Sequence, residues 1–391
     1  LKTQAVTSKR VLPLIIFSQF CCTSLWFAGN AVVDNLIVYF NLSVESLGYM
    51  SSSVQFGFII GTFIFAMLSL SDRFSPSRVF FICAVLGSVC NFGILYTNNT
   101  IVTLVAFRFF TGFSLAGIYP VGMKIAADYF EKGLGKSLSF LIAALVLGTA
   151  FPYLIQSFDF NLKWQSVVWA TSVLALLGGV LILIWVPNGP YRKRAAKFDM
   201  SKILNVFKNS SFRSASMGYF GHMWELYAFW TFVPAILMMY QKLQHVTLNI
   251  PLWSFLIIAS GTLSCIIGGF ISEKFGVKKT AGWALSISGF CCLLSPLFFM
   301  MTSTPLFIIV LVIWGMAVIA DSPLFSTMVA QNCEVQSIGT ALTIVNCIGY
   351  SLTIISIQML NHFTTNITFA PYAFTVLALG PIIGLIYLKK V

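Results

Sequence analysis

The chain has 391 residues, of which 58% are hydrophobic and only 9% charged, with 23 lysines and arginines against 11 acids. Soluble domains carry roughly 25% charged residues, so this chain has too little polar surface to face water and reads as an integral membrane protein. Its long apolar runs suit helices of about 20 residues that cross the hydrocarbon core, and the alternating strands of an outer-membrane barrel are missing.

The first apolar run opens at Val11 and continues to about Phe40 without a small-residue cleavage pattern. It reads as a first pass (11–39) rather than a removable leader, and it holds Gln19, Asn30 and Asp34. Pass two (46–70) holds Gln55 and the pair Gly57 and Gly61, small residues that let helices approach closely. The loop SLSDRFSPSRV (69–79), with Asp72, Arg73 and Arg78, leads into pass three (78–97). Pass four (101–129) carries Arg108, Tyr119, Pro120 and Lys124. Passes five (137–158) and six (164–186) precede the only long polar stretch, 187–212.

Pass seven (213–240) contains YFGHMWELYAFW, in which His222 and Glu225 are three apart and share a helix face among Trp224, Tyr227 and Trp230. Pass eight (249–272) runs into GFISEKFGVKK (269–279), with Gly269, Glu273, Lys274, Gly276, Lys278 and Lys279. Pass nine (278–302) is followed by pass ten (305–331), where Asp321 stands two residues before Pro323. Pass eleven (336–361) holds Asn346, and pass twelve (367–388) closes the series. The expected fold is all-α with twelve transmembrane helices: an N-terminal six-helix bundle (1–186), a central loop (187–212) and a C-terminal six-helix bundle (213–391).

Charge sorts by side. The two termini and the loops after the even-numbered passes collect nearly all lysines and arginines, while the opposite loops hold only Lys163 and Lys242. By the positive-inside rule both termini and the central loop are expected in the cytoplasm, most simply of a bacterium, with the passes in its inner membrane. The basic excess then reflects topology and contact with anionic headgroups, not nucleic acid. The nine cysteines show no metal spacing and read as reduced thiols.

The halves echo each other. Asp72 and Glu273 are 201 residues apart, Gly148 and Gly349 share that offset, and Pro120 and Pro323 are 203 apart. Three pairs at nearly one spacing indicate a duplicated six-helix unit. Together with the basic central stretch and the acid–basic loops, this organisation resembles the major facilitator superfamily. That family's loop motif, Gly-x-Leu-x-Asp-Arg-x-Gly-Arg-Lys, is matched in the second half by Gly269, Ile271, Glu273, Lys274, Gly276, Lys278 and Lys279. In the first half Leu70, Asp72, Arg73 and Arg78 fit, but Ser75 replaces the glycine and Pro76-Ser77 replace basic residues. Pass four is similar to the family's Arg-x-x-x-Gly helix through Arg108, Gly112 and Gly117. The resemblance implies a monomeric transporter that needs no cofactor, moves a small solute by alternating access and leaves the solute unnamed.

Ionisable residues at membrane depth cost at least about a few kcal/mol and usually face a cavity or a partner. Asp34 and Arg108 fall at similar depths, so an ion pair is expected, either coupling transport or statically fixing two helices. Lys124 lies near enough to the end of pass four to snorkel. Pro323 frees a carbonyl one turn back, so Asp321 suits a cavity wall or hinge, or bonds Ser322, Ser326 or freed backbone. Glu225 sits near the midplane of pass seven, where burial favours a neutral carboxyl that loads and releases a proton, with His222 as relay. The alternative is a permanently protonated Glu225 bonded to His222 or backbone. Gln19, Asn30, Gln55, Tyr119, Trp224, Tyr227, Trp230 and Asn346 are cavity candidates or ordinary interhelical contacts. Asp72 and Glu273, among loop cations, read as a gate latch or as plain loop ion pairs.

The leading expectation is a proton-coupled symporter whose partners are a small solute, protons and lipids. A uniporter, an exchanger and a proton-driven exporter stay open. A membrane enzyme would need a metal cluster, a nucleophile with its base or a P-loop, and the sequence offers none. A non-transporting receptor on this scaffold is the remaining alternative.

Overall fold

The computed structural model describes residues 2–130, 134–158, 163–192, 206–334, 337–364 and 370–390. Much of the expected central loop, 193–205, lies outside them, as do Lys132 and the other basic residues assigned to 193–202. Every regular element among the described residues is helical. Pass one is Lys2–Thr23 followed by the short helices Ala28–Ala31 and Val33–Tyr39. Passes two and three are Ser46–Met67 and Pro76–Leu95. Pass four is split into Ile101–Ala116 and Tyr119–Tyr129, and passes five and six are Leu134–Ser157 and Gln165–Trp185. Passes seven to nine are Ser210–Gln244, Ile250–Phe275 and Val277–Phe298. Pass ten is split into Thr304–Ala320 and Ser322–Gln331, pass eleven is Ile338–Thr364, and pass twelve runs from Ala370 to Lys389 through a 3₁₀ turn.

Ten of these helices are long and apolar enough to cross a membrane. Passes one and seven complete the set of twelve and fall short for different reasons. Pass one stops being helical at Thr23 and restarts at Ala28. Pass seven is long, at 35 residues, but Arg213, His222 and Glu225 and its polar flanks lower its mean hydropathy.

Local chemistry sets the helix starts. Asn209 and Asn249 cap passes seven and eight by accepting backbone N–H bonds, and Thr100 forms a reciprocal capping box with Thr103. Prolines occupy the first turn of pass three and of both halves broken at Tyr119 and Ser322, where a missing N–H costs nothing. Gly276 stands between passes eight and nine with φ 89°, a backbone conformation that only glycine adopts freely, which accounts for the glycine of the loop motif.

The chain divides into two compact units, Leu1–Leu42 with Ser53–Phe198, and Ser43–Ser52 with Asp199–Val391. In the first, pass six packs on passes one and three, pass five on pass one, and pass four on pass three. Glycines bring pass two against pass four: a side chain on Gly57 would strike the Phe109 carbonyl, and one on Gly112 the Val54 carbonyl. In the second, pass seven packs on passes eleven and twelve and pass eight on pass ten. Each unit buries polar side chains within an apolar core and exposes large apolar ones. Ser88, Asn91, Thr171 and Ser172 are buried in the first, and Ser254, Ser288 and Thr353 in the second. Val102, Ile184, Leu263 and Phe290 are exposed. Hydrocarbon as the surrounding solvent accounts for the exposed apolar side chains and for polar ones being kept inside.

Candidate functional site

The second unit holds a buried acid–base cluster built on pass seven. His222 Nδ1 lies 2.7 Å from Asp321 Oδ1, and both side chains are essentially inaccessible. Asp321 is the residue at which pass ten breaks, between Thr304–Ala320 and Ser322–Gln331. Pro323 has no N–H to give the carbonyl of Ile319, and the Cys265 thiol of pass eight turns to that carbonyl instead, at 3.7 Å. His222 Nε2 and Asp321 Oδ2 have no hydrogen-bond partner among the described residues. The pair therefore keeps an open nitrogen on one side and an open oxygen on the other.

Glu225, one turn along pass seven, is also fully buried but differently served. Trp314 Nε1 of pass ten donates to Oε1 at 2.6 Å, and the Cys292 thiol of pass nine donates to the same oxygen at 3.2 Å. Ser288 Oγ, also on pass nine, donates to Oε2 at 2.8 Å. His222 pairs with Asp321 and not with Glu225, so the bond between the two pass-seven residues in the alternative reading does not form. Their side chains share a helix face, yet each finds a better-aligned group on pass nine or ten. Ser288 and Cys292 stand four apart, and Trp314 stands seven before Asp321. Each spacing puts its two residues on one helix face, a signal that sequence reading passed over.

The remaining second-unit candidates divide. Tyr227 and Tyr350 share a hydroxyl–hydroxyl bond of 2.9 Å, and the Tyr227 and Trp230 rings meet edge to face. Trp224 Nε1 donates to the Val376 carbonyl at 3.1 Å, which ties it to pass twelve. Asn346 is half-buried on pass eleven.

In the first unit the structure does not join Asp34 to Arg108. Asp34 is exposed. Arg108 is fully buried, and its Nη1 donates to the Leu25 carbonyl at 3.0 Å and to Asn91 Oδ1 at 3.4 Å, while Nη2 donates to the Trp26 carbonyl. The cause is the break in pass one, which strips carbonyls near its helix end of their usual intrahelical partners. A guanidinium satisfies them and is favoured by the negative end of the Lys2–Thr23 helix. Asn91 also bonds Thr171 and Ser172 of pass six at 3.1 and 2.9 Å. It was missed because a single amide inside an apolar run is unremarkable without its neighbours.

Gln19 is completely buried with neither amide atom bonded among the described residues, and the absence of a side chain at Gly122 leaves room for its oxygen. Gln55 and Asn30 are buried, and Tyr119 is half-buried at the break in pass four.

At the loop after pass two, Asp72 pairs with Lys124 at 2.8 Å, and Lys124 also lies 3.5 Å from Asp128. Arg192 donates to the carbonyls of Asp72 and Phe74 at 2.9 and 2.7 Å. Lys124 thus turns to the loop motif, and sequence reading overlooked Asp128 and Arg192 as part of this knot. Arg73 and Arg78 are exposed. In the second-half motif Gly269 is half-buried, while Glu273, Lys274, Gly276, Lys278 and Lys279 are exposed. Glu273 carries no ion pair with a described residue, so the two motif acids differ in this structure.

The second unit thus holds a broken helix with a buried acid–base pair, and the first a loop knotted to the end of pass four. Comparison with known proteins identifies the family. Residues 15–357 match the model of the Major Facilitator Superfamily. The 3-(3-hydroxy-phenyl)propionate transporter of Escherichia coli (strain K12) is 26% identical over 166 residues, covering 41% of this chain and 40% of that protein. The ascochitine biosynthesis cluster MFS transporter of Didymella fabae is 31% identical over 184 residues, covering 45% of this chain and 34% of that protein. The chain therefore spans well under half the length of these two relatives. The solved proton:xylose symporter XylE, bound to 6-bromo-6-deoxy-D-glucose, superposes with a TM-score of 0.76 at 14% identity, over 99% of this chain and 96% of that one. The chain belongs to the Major Facilitator Superfamily and is a multi-pass membrane protein.

Proposed function

We propose that the protein is a secondary active transporter that couples its solute to protons by alternating access, with the His222–Asp321 pair as the proton carrier. One observation supports this most directly: the two groups touch at 2.7 Å in a fully buried position, and each retains an atom without a hydrogen-bond partner among the described residues. Buried polar atoms are normally satisfied, so the pair is held short of saturation. The facing titratable groups are Glu225 from pass seven and the Cys265 thiol from pass eight, both within electrostatic reach of Asp321. No lysine or arginine in the second unit is paired with Asp321 among the described residues. With one shared proton the pair is neutral overall, as imidazolium with carboxylate or imidazole with carboxylic acid. Losing or gaining a proton leaves a net charge that hydrocarbon disfavours, so the exchange belongs to moments when the site opens to water.

On this reading the Asp72–Lys124–Asp128 cluster is a gate latch at the cytoplasmic end, in a bacterial inner membrane with both termini in the cytoplasm. XylE, whose fold is similar, is a proton:xylose symporter, which supports coupling on this scaffold. The test is proton flux into proteoliposomes loaded with a pH dye and challenged with pooled metabolites, wild type beside Asp321→Asn. One pool is expected to acidify the wild-type lumen, while Asp321→Asn exchanges the same solute without acidification. Equal acidification by both proteins refutes the carrier assignment.

A further inference from the structure

We infer that Glu225 does not carry the coupled proton but is a positioning residue, pinning the outer half of pass ten so that Asp321 stays opposite His222. The inference rests on the carrier reading above. The two acids have opposite hydrogen-bond situations. Asp321 has one ion-pair partner and an open oxygen, whereas both Glu225 oxygens are occupied, by Trp314 and Cys292 on one and Ser288 on the other.

The Glu225 site also tolerates either protonation state without rearranging. Ser288 Oγ lies 2.8 Å from Glu225 Oε2 and 3.3 Å from the Leu285 carbonyl. If Oε2 is ionised, the serine donates to it. If Oε2 carries a proton, it donates to the serine, whose own hydrogen turns to Leu285. Oε1 accepts from Trp314 in both cases. A group whose contacts survive its own titration is suited to hold structure constant, not to report a proton.

What it holds is specific. Trp314 is buried, with its indole 4.5 Å from the Phe229 ring and 6.2 Å from that of Phe298. Farther along the same two helices Tyr240 stacks on Phe307 at 3.6 Å, and its hydroxyl donates to the Met301 carbonyl at 3.0 Å with Thr304 Oγ1 at 3.4 Å. Pass seven runs as one helix from Ser210 to Gln244 with Pro234 inside it, and these contacts fasten the Thr304–Ala320 half of pass ten to it on both sides of that proline. The second half, Ser322–Gln331, begins past the break, and the contact nearest that break is His222–Asp321. The fixed half sets where the break falls, and the pair senses the proton there.

The experiment compares wild type with Glu225→Gln, Trp314→Phe and Asp321→Asn in the dye-loaded proteoliposomes, with the metabolite pool that drives wild-type acidification as probe. Tryptophan emission is recorded on each, with the wild type minus Trp314→Phe difference giving the Trp314 signal. Glu225→Gln keeps an acceptor for Trp314 and serves if Trp314→Phe folds poorly. The expected result is that Glu225→Gln shifts the Trp314 emission and slows transport several-fold while keeping the wild-type number of protons per solute. Trp314→Phe should do the same to rate and stoichiometry, and Asp321→Asn should abolish coupling. If Glu225→Gln abolishes acidification while solute exchange continues, Glu225 is the carrier and the inference is overturned. If Glu225→Gln alters neither rate nor emission, it positions nothing, and the inference also fails. If Asp321→Asn still couples, the carrier reading falls first and this one with it.

Discussion

Arg108 carries a charge in the interior of the first unit and pairs with no carboxylate among the described residues. Its partners are the Leu25 and Trp26 carbonyls and the Asn91 side chain. A buried charge without a counter-ion is costly unless dipoles replace water around it, and the exposed end of a broken helix supplies such dipoles. Arg108 thereby helps keep pass one broken. The fork geometry matters, because a lysine offers one point of charge where the guanidinium reaches two successive carbonyls. Arg108→Lys is expected to cost about 2 kcal/mol, the scale of a hydrogen bond to a charged group. Unfolding in mixed micelles of rising SDS content would measure it. Asn91→Ala should destabilise too, and the double variant should lose less than the sum, since both residues serve one network. Strict additivity would mean that Asn91 and Arg108 act separately.

At the scale of elements, the breaks in passes four and ten matter most, and they were partly legible. Pro120 and Pro323 mark both in the sequence, at nearly the repeat offset, because a proline cannot donate to the carbonyl four residues back. The break in pass one has no proline within Ser24–Phe27 and left no comparable mark; the carbonyls it frees are met by a distant arginine, which local propensity cannot encode. In the same way Glu225 and His222 stood out as polar groups in apolar surroundings, but their partners on passes nine and ten depend on helix packing. The break in pass ten yields a direct prediction. Pro323→Ala restores the N–H, so Ile319 regains an intrahelical donor in competition with Cys265. Amide hydrogen exchange across 319–324 should slow, and proton coupling should fall as the straightened helix carries Asp321 away from His222. Unchanged exchange would show that neighbouring helices, not the proline, hold the bend.

For the molecule as a whole, the proposed orientation rests on charge and not on packing. Nineteen lysines and arginines fall on one side of the twelve passes and two on the other. Moving basic loops across the membrane is what the positive-inside bias opposes, so the asymmetry is the ground for the proposed cytoplasmic placement of the basic end. The Asp72–Lys124 cluster lies at the basic end, which makes its side of the membrane part of its proposed role as a latch. Two exposed positions report on this: Val44, in the loop after pass one, and Phe74, in the loop after pass two. The native cysteines among the described residues are buried or half-buried, so a maleimide too polar to enter the bilayer should read an introduced thiol against a low background. Added to intact cells, it should label Val44→Cys at once and Phe74→Cys only after the membrane is permeabilised. The reverse pattern would put the latch on the outer face, and Lys124–Asp72 would then close the opposite entrance.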